Sequence, residues 1–169
     1  TGIFCFKNRL LFAHLKEIRN DNAQQEYYLT DLVAIFNQCG LRVNALVADD
    51  PQETMGVNDR IDLAKAQKWM TRHECERHMR NGVTIIDPET VYIDVGVKIG
   101  ADTVIYPNVI IQGDTVIGER VTILSNSFLR NAVIADEVCI DSSKIVESSV
   151  GARTTIGPMS HLRNHTEIA

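Results

Sequence analysis

The segment HECERH contains three potential metal ligands, His73, Cys75 and His78. Imidazole and thiolate groups are the common ligands of zinc sites. The segment lies within a run free of proline and glycine that predicts a helix, where each residue turns by about 100°. The three side chains would then point in different directions and could not converge on one ion. We therefore expect a solvated helix face with one thiol turned inward.

The four cysteines, Cys5, Cys39, Cys75 and Cys139, are widely scattered and form no C-x-x-C pair. This spacing indicates neither a disulfide framework nor a zinc site. Unpaired thiols are typical of proteins that stay in a reducing cytosol. We expect four free thiols that are buried or half-buried.

The composition limits the classes of partner. The 169 residues carry a formal net charge of -5 and no basic run, which disfavours nucleic acid and anionic membranes. No apolar run approaches the roughly 18 residues of a membrane span, and the first residues do not resemble a signal peptide. The unpaired cysteines make a cytoplasmic location the expectation. The chain begins with Thr1 rather than Met, which fits either processing or a piece of a longer protein.

The first sixty residues predict two helices and one strand. The helices are expected from Asn8 to Asn20 and from Asp31 to Cys39, because apolar residues recur there at helical spacing. Thr30 is the expected N-cap of the second helix, and Gly40 is its expected terminator. Alternation predicts a strand from Leu41 to Ala48. Because one strand makes no sheet, these elements suit the end of an α/β domain whose core lies upstream.

A long helix is predicted from about Asp59 to Arg80, ending before Gly82. It contains neither proline nor glycine, and its length would be roughly 33 Å at 1.5 Å per residue. A helix of this length and polarity is typical of a bridge between two domains.

From Val91 onward, an aliphatic residue recurs at every sixth position. The unbroken series is Ile93, Ile99, Ile105, Ile111, Ile117, Ile123 and Leu129. After two slips it resumes at Ile134, Ile140 and Val146, and then at Val150, Ile156 and Leu162. A period of six does not fit a helix, but it suits short strands joined by corners of Gly, Asn or Asp. An ordinary antiparallel sheet would not keep so regular a period.

Units of this kind bury their aliphatic faces only when they stack. The pattern therefore predicts a parallel β-helix with coils of about 18 residues. Residues 91–169 would supply a little over four coils. The open end of such a rod exposes strand edges, so we expect further coils or another chain to cover the end near Ala169.

Three segments, in this order, resemble a known family. They are NAQQEYYLTD from Asn22 to Asp31, GVNDR from Gly56 to Arg60, and TIGPMSHLR from Thr155 to Arg163. Together with the long helix and the repeats between them, they closely resemble the bacterial bifunctional GlmU family along the whole chain. Hexapeptide repeats alone are common in acyltransferases and structural proteins, so the first two segments make the resemblance specific.

The resemblance implies the α/β tail of a nucleotidyltransferase domain, a long linker helix, and a left-handed parallel β-helix of hexapeptide repeats. The usual crossover rule alone would favour the right-handed form. By resemblance, residues 1–60 are the C-terminal part of the uridyltransferase (pyrophosphorylase) domain. Residues 61–82 are the linker helix, and residues 83–169 are the N-terminal coils of the acetyltransferase domain.

The resemblance also implies two reactions. One transfers an acetyl group from acetyl-CoA to glucosamine-1-phosphate. The other joins the product to UTP with Mg²⁺ and yields UDP-N-acetylglucosamine for peptidoglycan synthesis. The partners it implies are UTP, UDP-N-acetylglucosamine, sugar phosphates and a homotrimer formed through the β-helix.

Both active sites are expected to be incomplete within these residues. The family's Gly-rich nucleotide loop, its phosphate-binding lysine and its metal-sharing aspartate have no match here. The catalytic histidine and the coils that hold acetyl-CoA also have no match, and His161 and His165 do not correspond to that histidine. We therefore assign no catalytic residue and expect these 169 residues to be inactive alone.

Asn58, in GVNDR, matches the family's metal- and nucleotide-binding asparagine. Mg²⁺ takes oxygen ligands and keeps substrate phosphates in its shell, and it offsets charge on the phosphoryl group under attack. Asn58 is equally well placed to be the N-cap of the long helix. Thr30, with its neighbours Glu26, Tyr28 and Asp31, lies in a segment that the family places beside the sugar pocket. Thr30 could bind a sugar or phosphate oxygen, or only cap its helix.

Arg163 aligns with the arginine that binds the sugar phosphate in the family's acetyltransferase site. A guanidinium suits that role because it can donate two parallel hydrogen bonds to a phosphate. The alternative is a surface arginine on a frayed segment. Asn164 stands where the family usually has proline, which puts the local turn in question.

The sequence also fits two other functions. One is another sugar-1-phosphate nucleotidyltransferase whose hexapeptide tail serves only assembly or regulation. The other is a structural β-helix module, although a rod would not need the EYYLTD and GVNDR segments.

Overall fold

The computed structural model describes residues 2–169, which divide into two compact units after Gly56. The first unit contains helix α1, Asn8–His14, which continues as a 3-10 turn, Leu15–Glu17. It also contains helix α2, Asp31–Gln38, and a 3-10 turn, Pro51–Thr54. The core of this unit is formed by Ile18, Leu32 and Phe36.

Helix α2 ends as its sequence predicts. Gly40 adopts a left-handed backbone with φ +68°. The Leu41 N–H donates to the Phe36 carbonyl at 2.9 Å, and the Gly40 N–H donates to the Asn37 carbonyl at 3.1 Å. This pair of hydrogen bonds is a Schellman motif, which satisfies the last carbonyls of the helix.

The predicted strand from Leu41 to Ala48 is wrong. Within residues 2–169, no strand forms there and no strand pairs with this segment. Leu41 and Val43 pack against the core of the first unit, whereas Leu46 is 99% exposed. An extended segment becomes a strand only when a neighbour completes its hydrogen-bond ladder, and alternation alone does not supply that neighbour.

Helix α3 spans Arg60–Arg80 and confirms the long helix. Its N-cap is Asp59, whose carboxylate accepts a hydrogen bond from the Asp62 N–H at 2.8 Å. Gly82, with φ +90°, follows its C-terminal end. Among residues 2–169, none of the helices combines the length and apolar composition that crossing a membrane would require.

Fifteen short strands within residues 2–169 form three parallel sheets of five strands each. The strands are β1 Thr84–Ile85, β2 Tyr92–Ile93, β3 Lys98–Ile99, β4 Val104–Ile105, β5 Ile110–Gln112, β6 Val116–Ile117, β7 Thr122–Ile123, β8 Phe128–Arg130, β9 Val133–Ile134, β10 Cys139–Ile140, β11 Lys144–Val146, β12 Ser149–Val150, β13 Thr155–Ile156, β14 His161–Leu162 and β15 Glu167–Ile168. The sheet orders are β1-β4-β7-β10-β13, β14-β11-β8-β5-β2 and β15-β12-β9-β6-β3. Every third strand is therefore a neighbour, which confirms the parallel β-helix.

The inward aliphatic side chains stack from coil to coil. Ile105 pairs with Ile123, and Ile123 pairs with Ile140, and all three are fully buried. Two details differ from the sequence pattern. Ile145, not Val146, pairs with Leu129 in the interior stack, because each slip in the period shortens a corner while strand pairing preserves the stack. The first coil also begins earlier, at β1, where the spacing to the next strand is not six.

Buried hydroxyls form hydrogen bonds with backbone groups at the corners of the β-helix. Thr103 donates to the Gly118 carbonyl at 3.0 Å and accepts from the Val121 N–H at 3.2 Å. Ser148 donates to the carbonyls of Val146 and Arg163. Within residues 2–169, no buried side-chain nitrogen or oxygen lacks a partner. The small polar residues of the repeat therefore complete the backbone hydrogen bonds where strands end.

The C-terminal half of α3 covers the first coil. The thiol of Cys75 is fully buried and lies 3.8 Å from the Val91 carbonyl oxygen. Burial raises the pKa of this thiol to about 11. Glu74 is also buried, and its carboxylate accepts a hydrogen bond from Arg77 at 2.6 Å. The helix thus shields strand edges at this end of the rod.

The expectation for HECERH was therefore correct for Cys75 and incomplete for its neighbours. His78 is buried as well, whereas His73 stacks on Trp69 with ring centroids 5.4 Å apart. The expectation that all four thiols are buried or half-buried was wrong for Cys5 and Cys39, which are exposed. Both belong to the first unit, whose small core covers fewer side chains.

His78 makes the stability of the β-helix depend on pH. Burial, and then the charge of Arg77, lower the pKa of His78 below its ordinary value of 6.5. The imidazole Nε2 lies 3.0 Å from an Arg77 nitrogen, so it accepts that hydrogen bond as a neutral ring. Because the unfolded chain then binds the proton more tightly, stability is complete above about pH 6.5 and decreases as the pH falls below it.

We predict that His78→Gln flattens this acid dependence, because glutamine keeps an acceptor but does not titrate. The measurement is the free energy of unfolding in urea between pH 8 and pH 5. His73→Gln, on the exposed side of the same helix, is the matched control and should keep the wild-type slope. Equal slopes for the wild type and His78→Gln would contradict the prediction.

Candidate functional site

Asn58 is exposed, one residue before the N-cap of α3. The cap itself is Asp59, so the capping alternative for Asn58 is wrong. The extended backbone of Asp59, with φ -142°, directs its carboxylate to the Asp62 N–H. Within residues 2–169, the Asn58 amide makes no hydrogen bond, and its oxygen is available to a ligand.

Thr30 does not cap α2 through its side chain, contrary to expectation. Its backbone is helical, with φ -59° and ψ -27°, and its hydroxyl makes no capping hydrogen bond. A residue in this conformation cannot aim its side chain at the first free N–H groups of the helix, which requires an extended backbone. Only its carbonyl joins the helix, by accepting from the Val33 N–H at 3.1 Å.

Asn22 organises the loop before Thr30, and sequence reasoning missed this role. Its side-chain oxygen accepts from the backbone N–H groups of Gln24 and Glu26, and its amide nitrogen donates to the Glu26 carbonyl. Gln25 adopts a left-handed backbone with φ +56° inside this loop. The sequence feature that could have indicated this role is an asparagine at the start of a polar turn, because such side chains often bond to the turn backbone. Thr30 belongs to the first unit and Asn58 to the second.

Arg163 lies on an ordered coil. Leu162, directly before it, is buried and pairs with Ile145. The Arg163 carbonyl accepts hydrogen bonds from the hydroxyls of Ser148, at 2.6 Å, and Thr166, at 2.7 Å. The alternative of a frayed segment is therefore wrong. Within residues 2–169, the exposed guanidinium makes no ion pair or hydrogen bond.

The turn after Arg163 forms without the proline that the family usually has there. His165 adopts φ +64°, and its N–H donates to the Glu147 carbonyl at 2.7 Å. Asn164 lies in that turn directly before His165, and its backbone is not left-handed. His161 and His165 are both exposed.

Gly157 is required earlier in the same motif. Its φ is +144°, and a Cβ there would lie 2.6 Å from the Cβ and 2.7 Å from the carbonyl oxygen of Asp141. A left-handed backbone with so close a neighbour admits glycine alone. The glycine of TIGP thus allows the adjacent coil to approach.

A cavity of about 280 Å³ lies between α3 and the first coil, and Lys68 and Arg72 line it. These two cations do not make it a good anion site. Glu89 lies 2.9 Å from the Lys68 ammonium and 2.6 Å from the Arg72 guanidinium. Hydrogen bonds from Lys68, and then from Arg72, lower the pKa of the Glu89 carboxyl. The carboxylate therefore already neutralises positive charge in this cavity.

Known proteins are similar to this chain across both of its units. The bifunctional protein GlmU of Lactobacillus johnsonii is 52% identical over 163 residues, which are 96% of this chain. GlmU of Listeria monocytogenes is 48% identical over 168 residues, 99% of this chain. GlmU of Clostridium botulinum is 47% identical over 163 residues. This chain belongs to the GlmU family.

The chain spans 35% to 37% of the length of these GlmU relatives. A family model described as the GMPPB C-terminal domain matches residues 87–169, which are the β-helix alone. The similarity to GlmU proteins therefore extends beyond the repeats into α3 and the first unit.

Solved structures give weaker similarities. A mutant of GDP-perosamine N-acetyltransferase from Caulobacter crescentus has a TM-score of 0.39 at 15% identity, over 81% of this chain and 84% of that one. Serine acetyltransferase isoform 3 from Entamoeba histolytica has a TM-score of 0.31 at 19% identity, over 63% and 42%. Similarities of this size carry no argument about function.

Proposed function

We propose that these residues are part of a bifunctional enzyme that makes UDP-N-acetylglucosamine for cell-wall synthesis. The enzyme transfers an acetyl group from acetyl-CoA to glucosamine-1-phosphate and then a uridyl group from UTP. The observation that carries this proposal is the 47–52% identity to GlmU proteins over 96–99% of the chain. We assign residues 1–60 to the uridyltransferase domain, residues 61–82 to the linker helix and residues 83–169 to the acetyltransferase domain.

The uridyltransferase half uses Asn58 as a ligand to Mg²⁺ and the nucleotide. The free amide oxygen fits this ion, because Mg²⁺ prefers oxygen ligands and tolerates a single protein group beside substrate phosphates. Bound Mg²⁺ would neutralise charge on the phosphates of UTP. Thr30, whose hydroxyl is not used as a cap, is available to donate a hydrogen bond to a sugar or phosphate oxygen.

The acetyltransferase half uses Arg163 to bind the phosphate of glucosamine-1-phosphate. The two hydroxyl contacts to its carbonyl hold the backbone in place. The guanidinium is free to donate two parallel hydrogen bonds to phosphate oxygens. Acetyl-CoA is the acetyl donor, and no residue of this chain is assigned to the acetyl transfer itself.

The assembly is a cytoplasmic homotrimer formed through the β-helix. Val116 and Val133 support this assignment, because they pair on neighbouring strands and their outward side chains are exposed. Exposed aliphatic residues that adjoin one another favour burial against another protein surface. The net charge of -5 disfavours a nucleic-acid partner.

A second candidate is a sugar-1-phosphate nucleotidyltransferase whose repeats serve only assembly. The match of residues 87–169 to the GMPPB C-terminal domain favours it. Acetyl transfer separates the two candidates, because only the bifunctional enzyme consumes acetyl-CoA.

The test is to purify the gene product that contains these residues, measure its intact mass and assay both reactions. Uridyl transfer is followed as UDP-N-acetylglucosamine formed from UTP, N-acetylglucosamine-1-phosphate and Mg²⁺. Acetyl transfer is followed as free thiol released from acetyl-CoA. We expect both activities in a product heavier than 18.9 kDa and neither in the 169 residues alone. Uridyl transfer without acetyl transfer would favour the second candidate, and absence of both would overturn the proposal.

We predict that Arg163→Ala raises the KM for glucosamine-1-phosphate by about 10- to 100-fold, the equivalent of a lost charged hydrogen bond of roughly 1.5–3 kcal/mol. Uridyl transfer should be unchanged. Arg130→Ala, at an exposed arginine of another coil, is the matched control and should leave the KM unchanged. Equal effects of the two substitutions would refute a specific phosphate role for Arg163.

A further inference from the structure

Three potential metal ligands meet in the first unit, outside the sites described above. The Nδ1 atom of His14 lies 2.9 Å from the Glu17 carboxylate. A nitrogen of His14, an oxygen of Glu17 and the sulfur of Cys39 all lie within 4.8 Å of one another. An ordinary His–Glu contact explains the first distance, but it does not explain why a thiol from another helix joins the pair.

The fold holds these side chains on packed elements. His14 is the last residue of α1, Glu17 ends the 3-10 turn, and Cys39 is the C-cap of α2. The His14 ring packs edge-to-face against Phe36 with centroids 5.5 Å apart. Phe36 belongs to the core of the unit, and the Schellman motif fixes the turn that follows Cys39. The fold thus fixes the backbone positions of the three ligands and the ring of His14.

The chemistry of the ligand set selects the ion. Nitrogen, sulfur and one carboxylate oxygen suit Zn²⁺, whereas Mg²⁺ and Ca²⁺ prefer oxygen alone. Tetrahedral zinc bonds of about 2.0–2.3 Å place neighbouring ligand atoms roughly 3.3–3.8 Å apart. The observed cluster therefore needs side-chain shifts of only about 1 Å to close around an ion.

We propose that His14, Glu17 and Cys39 form a zinc site that joins the end of α1 to the end of α2. Cys39 is a free, exposed thiol, so an ion can enter from solvent, and water occupies the fourth position. Binding releases the thiol proton of Cys39, and any proton on the coordinating His14 nitrogen, to solvent. The site stabilises the first unit, because zinc binds the folded arrangement more tightly than the unfolded chain.

The test uses Co²⁺ as a spectroscopic substitute for Zn²⁺ on the chelator-treated 169-residue chain. We expect a thiolate-to-cobalt charge-transfer band and the visible bands of a tetrahedral ion, saturating at one equivalent. Cys39→Ser should remove the charge-transfer band, whereas Cys5→Ser, at the other exposed thiol of this unit, should keep it. His14→Gln should weaken Co²⁺ binding by at least about 100-fold. Loss of a residue that only hydrogen-bonds to a metal ligand already costs up to about 100-fold in affinity.

A second measurement needs no substitution and so does not depend on the folding of a variant. The wild-type chain is alkylated with and without one equivalent of Zn²⁺, and the modified cysteines are identified by mass spectrometry. Zn²⁺ should slow the alkylation of Cys39 by at least about tenfold, because the metal holds the thiolate, and leave Cys5 unaffected. Equal rates at Cys39 with and without Zn²⁺, or a charge-transfer band that survives Cys39→Ser, would overturn the proposal.

Discussion

Ile134→Ala is expected to lower the free energy of unfolding of the β-helix by about 2–5 kcal/mol. Ile134 lies on β9, the central strand of its sheet, where it pairs with Ile117 on one side and Val150 on the other. Its side chain is only 2% exposed. Truncation would leave a cavity inside a stack whose coils have little other core, and backbone pairing to both neighbours prevents collapse into it.

The matched control is Val133→Ala on the same strand. Val133 points outward and is 54% exposed, so its truncation should change the stability of the monomeric chain by no more than about 0.5 kcal/mol. Urea denaturation at low protein concentration, followed by far-UV circular dichroism, measures both variants. A cost for Val133→Ala as large as that for Ile134→Ala would contradict the assignment of the inward face.

Asn58→Ala is expected to lower Mg²⁺-dependent uridyl transfer by at least about 100-fold in the gene product that contains these residues. The reason is that charge stabilisation by a catalytic metal is worth several kcal/mol, and each 1.4 kcal/mol is tenfold in rate. The Mg²⁺ concentration needed for half-maximal rate should rise as well. Acetyl transfer by the same preparation should stay unchanged, which serves as an internal control for folding.

Asp59→Ala separates the ligand role from the capping role. This substitution removes the carboxylate that accepts from the Asp62 N–H, and it should cost about 1 kcal/mol of stability. Its effect on the Mg²⁺ requirement should be small. If Asn58→Ala instead destabilised the helix and spared uridyl transfer, Asn58 would be a structural residue and the metal assignment would be wrong.

Local sequence rules were sufficient for several elements. Gly40 and Gly82 marked helix ends correctly, because a left-handed backbone at those positions favours glycine. The six-residue period placed Ile105, Ile111 and Ile123 in the interior, since side chains of stacked strands must face one way to be buried. The same rules failed for the strand from Leu41 to Ala48, because that segment has no partner strand within residues 2–169.

For the candidate sites as well, the sequence predicted one part and the structure decided the rest. Motif similarity identified Asn58 and Arg163 as candidates, but it did not predict the contacts that they or their neighbours make. Asp59, not Asn58, caps α3, and that choice depends on the backbone dihedral angles at the junction. Arg163 is held in place by Ser148, which belongs to the preceding coil. Neither result could be obtained from one segment read alone.

The sequence by itself determined the stacked coils, the long helix and membership of the GlmU family, because these depend on periodicity and on short contiguous motifs. Only the tertiary structure decided that Ile145 replaces Val146 in the interior stack, since strand pairing preserves the stack when a corner shortens. It alone brought Cys39 to His14 and Glu17, because packing of two helices on a shared core sets that distance. Contacts between residues far apart in the chain leave no local pattern from which they can be predicted.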